Sequence, residues 1–343
     1  MSIPIKNIYH MLSYAWNKLD ESNMVHVDLD GVTTLPELFT RVLLNGTKIL
    51  LRKGLDRSYA EKTQEIAGIK GKLELSPTLK SGIHFRQRTI CTFDELSHNT
   101  LTNQILYSTL ANLTNIESLN SKLKRELKKC LWHFVAVDRI TITSKCFSLI
   151  RYHRNNNFYI FLMDVCEIVH DNTLPSEQQG KWTFIDFTRD EKKMSLVFQS
   201  FVKRFYTIKY KREYTVRGER IKWQFKGDPY SFSFVPIMNT DICLENRRSK
   251  IIIDTKFYNQ TMTSNYGKER INSLNLYQLF AYLLNQETND PKTQNCTGIL
   301  LYPTTSQEYN LQLKYKNHNI FIKTINLNSH WPAIEQRLQE VIK

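Results

Sequence analysis

The sequence predicts a two-domain α+β protein. Its N-terminal domain is α+β, with helices around a small β-sheet or barrel, and its C-terminal domain is α/β, with a central mixed sheet flanked by helices. Three observations predict this. At 343 residues the chain exceeds one typical domain, so two cores are expected. Apolar residues switch repeatedly between helical spacing and strand-like alternation along the chain. A polar, Asn-rich run at 151–157 separates the halves and places the domains at 1–154 and 155–343.

Near the start, Ile8, Met11, Leu12, Ala15, Trp16 and Leu19 recur at helical spacing, and Pro36 to Lys53 gives a second amphipathic helix. Alternation and glycine punctuation over 66–75 and 82–90 predict strands. Between them, Gly68-Ile69-Lys70-Gly71-Lys72 reads as a β-turn with exposed lysines, because it lacks the G-x-x-x-x-G-K-[ST] spacing of a phosphate cradle. Helices follow at 100–113 and 121–134, the second with a solvated basic face of Lys122, Lys124, Arg125, Lys128 and Lys129. The C-terminal half opens with a helix over 158–170, a polar loop over 171–180 and a strand over 182–187. Met194, Val197, Phe198, Phe201, Val202 and Phe205 then form one apolar helix face. From 214 to 257 strand follows strand, then come a helix over 273–285, a strand over 298–302, a hairpin near 316–319 and a closing helix from Trp331.

Composition narrows the function. Hydrophobic residues make up 41% and charged residues 23%, and no apolar run approaches the roughly 20 residues that span a bilayer, so no membrane contact is expected. The opening Met1-Ser2-Ile3-Pro4-Ile5-Lys6 has no secretory signal, which predicts a cytoplasmic protein. Six cysteines without a C-x-x-C pair read as reduced, mostly buried thiols. No H-E-x-x-H and no G-x-S-x-G occurs, which argues against a zinc hydrolase or a serine hydrolase. A net charge of +14 suits a polyanion, and DNA is the expected one.

The chemistry gathers in one segment. Asp241-Ile242-Cys243-Leu244 and Lys250-Ile251-Ile252-Ile253-Asp254-Thr255-Lys256 flank a polar turn, Glu245 to Ser249, and should pair as an antiparallel hairpin that brings Asp241 near Asp254. Alternation puts Asp254 and Lys256 on one face and points Thr255 away. Two carboxylates and an ammonium beside apolar strands are costly to bury unless something neutralises them, and hard oxygen ligands suit Mg²⁺, with Asp241 and Asp254 as its ligands. The plainer alternative is a surface salt bridge between Asp254 and Lys256. Downstream, Gln278 and Tyr282 share a helix face at i, i+4 and could reach the same site, although Tyr282 taken alone reads as a core aromatic.

This pattern resembles the PD-(D/E)xK nuclease superfamily. The resemblance implies a restriction-endonuclease-like C-terminal domain, with Asp241 as first acid, Asp254 and Lys256 as second acid and lysine, and Gln278 and Tyr282 as the Gln-x-x-x-Tyr element of the RecB-like branch. Where the superfamily often adds a Glu from the preceding helix, this chain offers Gln199. Nearly the full length is similar to the McrC family, the nuclease subunits of McrBC modification-dependent restriction systems. The likeness extends to Ile3-Pro4-Ile5-Lys6-Asn7-Ile8-Tyr9-His10-Met11-Leu12, Gly68-Ile69-Lys70-Gly71-Lys72, Thr92-Phe93-Asp94-Glu95-Leu96 and Asn275-Leu276-Tyr277-Gln278-Leu279. It implies Mg²⁺-dependent cleavage of DNA at methylcytosine-type sites. It also implies a partner, the GTP-hydrolysing AAA+ protein McrB, whose hexameric ring receives the N-terminal domain and whose GTP hydrolysis is thereby stimulated. Two rival readings are a non-enzymatic basic DNA-binding adaptor and a stand-alone RecB-like exonuclease.

Overall fold

Three consecutive isoleucines between polar turns specify the central strand of a six-stranded sheet. Lys250–Thr255 is buried along its whole length, as expected of a strand covered on both faces. The computed structural model describes residues 3–25, 31–151, 157–176, 180–258, 263–265, 268–305 and 308–343. The central strand pairs antiparallel with Ile242–Glu245, with Ile253 opposite Ile242 and Lys250 opposite Glu245, and parallel with Thr297–Thr304. Across the sheet the order is Asn310–Tyr315, His318–Asn326, Thr297–Thr304, Lys250–Thr255, Ile242–Glu245, Thr215–Arg217. Two parallel pairs at the centre are flanked by antiparallel ones, so the expected mixed sheet is present.

Two parallel neighbours need a crossover, and the helix Ser273–Asn285 supplies it. Asn272 caps this site helix by accepting from the Leu274 amide, and Leu279 and Leu283 are buried under it. Gly298 lets them approach, since a Cβ there would stand 2.8 Å from Leu283 Cδ1. A second long helix, Glu191–Lys209, is capped by Asp190 and buries Met194, Phe198, Phe201, Val202 and Phe205, the apolar face read from the sequence. Trp331–Val341 and the opening helix Ile5–Ala15 join it. Tyr14 stacks edge-on to Phe201 at 5.4 Å and donates its hydroxyl to Glu335, while Asn7 donates to the carbonyls of Leu327 and Ser329.

Residues 21–185 form a separate compact unit. Its main helices are Leu35–Lys53, Leu101–Leu113, Ser121–Leu131 and Asn157–Asp171. Its main sheet has three strands, with Ser58–Ala67 antiparallel to Arg88–Ser97 and Lys72–Leu73 on the far side, which settles the sheet-or-barrel alternative as an open sheet. Gly68 and Gly71 both take left-handed backbone angles, and Lys70 and Lys72 are exposed, as the turn reading requires. The basic helix buries only Leu123, Leu127 and Cys130. All six cysteines are free, and all but Cys146 are buried.

The structure corrects several expectations. The compact units divide as 1–20 with 186–343 against 21–185, not at 154/155. The Asn157–Asp171 helix presents an apolar face that packs with the helices before it: Tyr159 donates to Asn103, and Gly46 leaves room for Leu162. Residues 152–156 of the Asn-rich run lie outside the described residues. The first helix stops at Ala15, before Asn17 with φ 57°, rather than running to Leu19. Residues 83–86 form a 3-10 turn between left-handed Gly82 and Gln87, so the strand expected over 82–90 begins only at Arg88. The strand expected over 182–187 is Trp182–Phe184. The run of strands expected over 214–257 is interrupted by residues 222–237, which carry only the short helix Pro229–Phe232.

Candidate active site

The ladder between the central strand and Ile242–Glu245 ends at the Ile253–Ile242 pair, so Asp241 and Asp254 stand next in register at the strand ends. Asp254 is 0% exposed. Lys256 Nζ lies 2.9 Å from its Oδ2, yet neither carboxylate oxygen receives a well-aligned hydrogen bond. Burial in this setting pushes the Asp254 carboxyl up to about 7; the neighbouring Lys256 ammonium opposes that shift and the Asp241 carboxylate adds to it. The ion pair has a side-chain exposure of 16% on the lysine and 1% on the aspartate, so it is not the surface salt bridge that was the plainer alternative.

Lys256 is also fixed from the site helix. Its ammonium donates to Gln278 Oε1 at 2.8 Å, Gln278 Nε2 donates to the Tyr282 hydroxyl at 2.7 Å, and that hydroxyl donates to the Asn239 carbonyl at 2.8 Å. The i, i+4 spacing thus produces a continuous relay from Lys256 to the backbone two residues before Asp241. Tyr282 itself is buried, and desolvation, with Asp254 nearby, pushes its hydroxyl up to about 12, so it stays a neutral donor.

Asp241 is held differently from the sequence picture. Its Oδ2 accepts from both the amide and the hydroxyl of Thr255, each at 2.8 Å, and its Oδ1 accepts from Gln199 Nε2 at 3.1 Å. Thr255 therefore meets Asp241, which lies one residue beyond the end of its own ladder, where the carboxylate turns onto the end of the central strand. Gln199 reaches the site from the long helix, where an acid would have added a further ligand. Thr255 and Asn239 were not singled out from the sequence, because their contacts depend on where the ladder stops.

Of these residues Gln199, Asp241, Thr255 and Lys256 border a cleft of about 470 Å³, with Lys192 and Ser195 also in its lining. Among the described residues no group of three or more His, Cys, Asp or Glu side chains gathers as a metal cage. A Mg²⁺ ion needs less than that, since one or two carboxylates suffice when water and phosphate oxygens complete its shell. The donor set fits such an ion, because Asp254 presents two buried oxygens with no aligned donor beside a second carboxylate.

Fold and site together define an α+β protein with two compact units, one of which carries an acid–acid–lysine cluster at the end of its central strand. The chain belongs to the family described as McrBC 5-methylcytosine restriction system component, whose pattern matches residues 6–303. The Type IV methyl-directed restriction enzyme EcoKMcrBC of Escherichia coli (strain K12) is 33% identical over 341 residues, which covers 99% of this chain and 97% of that protein. The chain also resembles a chain in the refined half-complex of a tetradecameric assembly of Thermococcus gammatolerans McrB AAA+ hexamers with bound McrC. There the TM-score is 0.63 at 15% identity, over 99% of this chain and 75% of that one, a likeness of fold. Among the described residues no helix is long and apolar enough to cross a membrane.

Proposed function

We propose that this chain is the DNA-cleaving subunit of an McrBC-type restriction system, a Mg²⁺-dependent endodeoxyribonuclease with a PD-(D/E)xK site made of Asp241, Asp254, Lys256, Gln278 and Tyr282. The observation that carries this reading is the Asp254 carboxylate. It is fully buried, has no aligned donor on either oxygen, and stands beside Asp241 and the relayed Lys256. A purely structural carboxylate would be expected to bring its own donors.

Asp241 and Asp254 would hold the ion, and Thr255 and Gln199 would keep Asp241 aimed by occupying its other lone pairs. When bound, the ion lowers the pKa of an attacking water and offsets charge on the phosphate. Gln278 and Asp254 hold the Lys256 ammonium at the cleft, where it orients the attacking water or stabilises the phosphoryl oxygens. Tyr282 donates to the Asn239 carbonyl and keeps Gln278 turned toward the lysine.

Family membership supports a partner of the AAA+ class, McrB, which binds and hydrolyses GTP and assembles as a hexamer. Residues 21–185, which contain none of the site residues, would dock on it and stimulate that hydrolysis. Co-expression with the neighbouring AAA+ gene, followed by incubation of the complex with methylated plasmid, tests the reading. Cleavage is expected with GTP and Mg²⁺ together and is expected to vanish in EDTA. Cleavage that survives EDTA would overturn the metal assignment, and a complex that never cuts would overturn the reading and favour the adaptor.

A further inference from the structure

Within the C-terminal unit, residues 222–237 connect two short paired strands, Arg220–Ile221 and Met238–Asn239. Large apolar rings normally go inside, yet Phe225, Tyr230 and Phe234 are 58%, 76% and 71% exposed. The segment that displays them is well tied down. Trp223 donates its indole N–H to the Pro236 carbonyl at 2.6 Å and stacks on Phe225 at 4.8 Å. Gln224 bonds through its backbone and side chain to Asn285 and Glu287 at the end of the site helix. Tyr230, on the short helix capped by Asp228, and Phe234, two residues past its end, meet edge to face at 5.2 Å. The rings are thus fixed in place and left facing solvent.

Charge says what would cover them. Lys222 and Lys226 are exposed on either side of Trp223 and Phe225 in the chain, and the only acid among residues 220–237 is Asp228, whose carboxylate is engaged in its cap. A protein-docking patch is typically depleted of lysine at its centre, whereas rings interleaved with lysines match bases joined by phosphates.

We infer that residues 222–237 form a stacking platform for unpaired DNA bases, with Tyr230 and Phe234 against base faces and Lys222 and Lys226 on the backbone. Every base has a π-face, so such a platform tolerates sequence, and it discriminates against paired duplex, whose base faces are already stacked. The inference rests on the nuclease reading, with which it shares its substrate.

Fluorescence anisotropy of the full-length chain in EDTA tests it, using a labelled duplex with a central mismatched bubble and a fully paired duplex of the same length, so that phosphate numbers match. Wild type is expected to prefer the bubble. Tyr230→Ala/Phe234→Ala should lose about tenfold or more for the bubble and less than about twofold for the paired duplex, whereas Tyr230→Phe should bind as wild type. Lys222→Ala/Lys226→Ala should weaken both and flatten the salt dependence. Equal affinity of wild type for both duplexes, or unchanged bubble binding by the double ring variant, would overturn the platform. So would a change in sedimentation of that variant with DNA affinity intact, which would make the loop a contact between copies of the chain. The nuclease reading fails separately: it falls if wild type in complex with its partner cannot cut DNA, and it stands if wild type cuts but shows no preference for the bubble.

Discussion

A carboxylate that is 0% exposed, with no donor aligned on either oxygen, is expensive to keep ionised. Because the folded state raises the Asp254 pKa to about 7, the folded chain binds that proton more tightly than the unfolded one. The destabilisation is therefore absent below the ordinary carboxylate range and grows as pH rises through about 7. In EDTA, Asp254→Asn is expected to raise the melting temperature at pH 8 and to change it little at pH 4, with a gain on the order of a few kcal/mol at the higher pH. Mg²⁺ should stabilise wild type at pH 8 and leave Asp254→Asn unmoved. Thermal melts at the two pH values check both, and a destabilised Asp254→Asn at pH 8 would mean that the ion pair with Lys256 outweighs the cost of burying the charge. The contacts of Asp254, Lys256, Gln278 and Tyr282 were legible because they follow from spacings of two and four residues. Those of Asp241 were not, since its partners Thr255 and Gln199 depend on where a ladder ends and how a helix packs.

At the scale of elements, the site helix and the three-stranded sheet make different demands. Gln278 couples the helix to Lys256, so Gln278→Ala should leave the fold intact and lower cleavage by about 10- to 100-fold, the usual effect of removing an outer-shell partner. A melting temperature that falls along with the activity would instead mark Gln278 as structural. In the sheet of the other unit, Gly71 has φ +68°, and a Cβ would stand 2.5 Å from the Thr92 carbonyl oxygen and 2.7 Å from Phe93 Cβ. Gly71→Ala is expected to disrupt pairing of Lys72–Leu73 with the neighbouring strand, costing about 1–3 kcal/mol, and to weaken partner binding while the Asp254 cluster keeps its Mg²⁺ response. Pull-down of the AAA+ partner and metal-dependent melting separate these effects. The turn at Gly68–Gly71 and the helix over 273–285 were legible, as glycine punctuation and 3.6-residue periodicity are local signals. The interruption at 222–237 was missed because its aromatic residues alternate with polar ones, the same pattern a half-buried strand shows.

For the whole molecule, two cores were foreseeable from length, but the seam between them was not. Composition marks a polar linker near 154, whereas the units divide by which apolar faces meet, and that returns the opening helix to the C-terminal unit. Removing residues 1–154 would therefore strip Tyr14 and Asn7 from Phe201, Glu335 and the 327–329 turn. Such a truncation is expected to melt early and bind hydrophobic dye, and Tyr14→Ala in the full chain to lose about 3 kcal/mol in denaturant unfolding. A cooperative, dye-silent 155–343 fragment would show the opening helix to be dispensable. The division of labour between the two units meets its most direct test in Lys256→Ala, assayed with the AAA+ partner for GTP turnover and methylated-plasmid cleavage side by side. Lys256 belongs to the acid–acid–lysine cluster and lies outside residues 21–185, so cleavage should fall to background while stimulated GTP hydrolysis stays at the wild-type rate. Wild-type cleavage by Lys256→Ala, or GTP turnover lost together with cleavage, would contradict it.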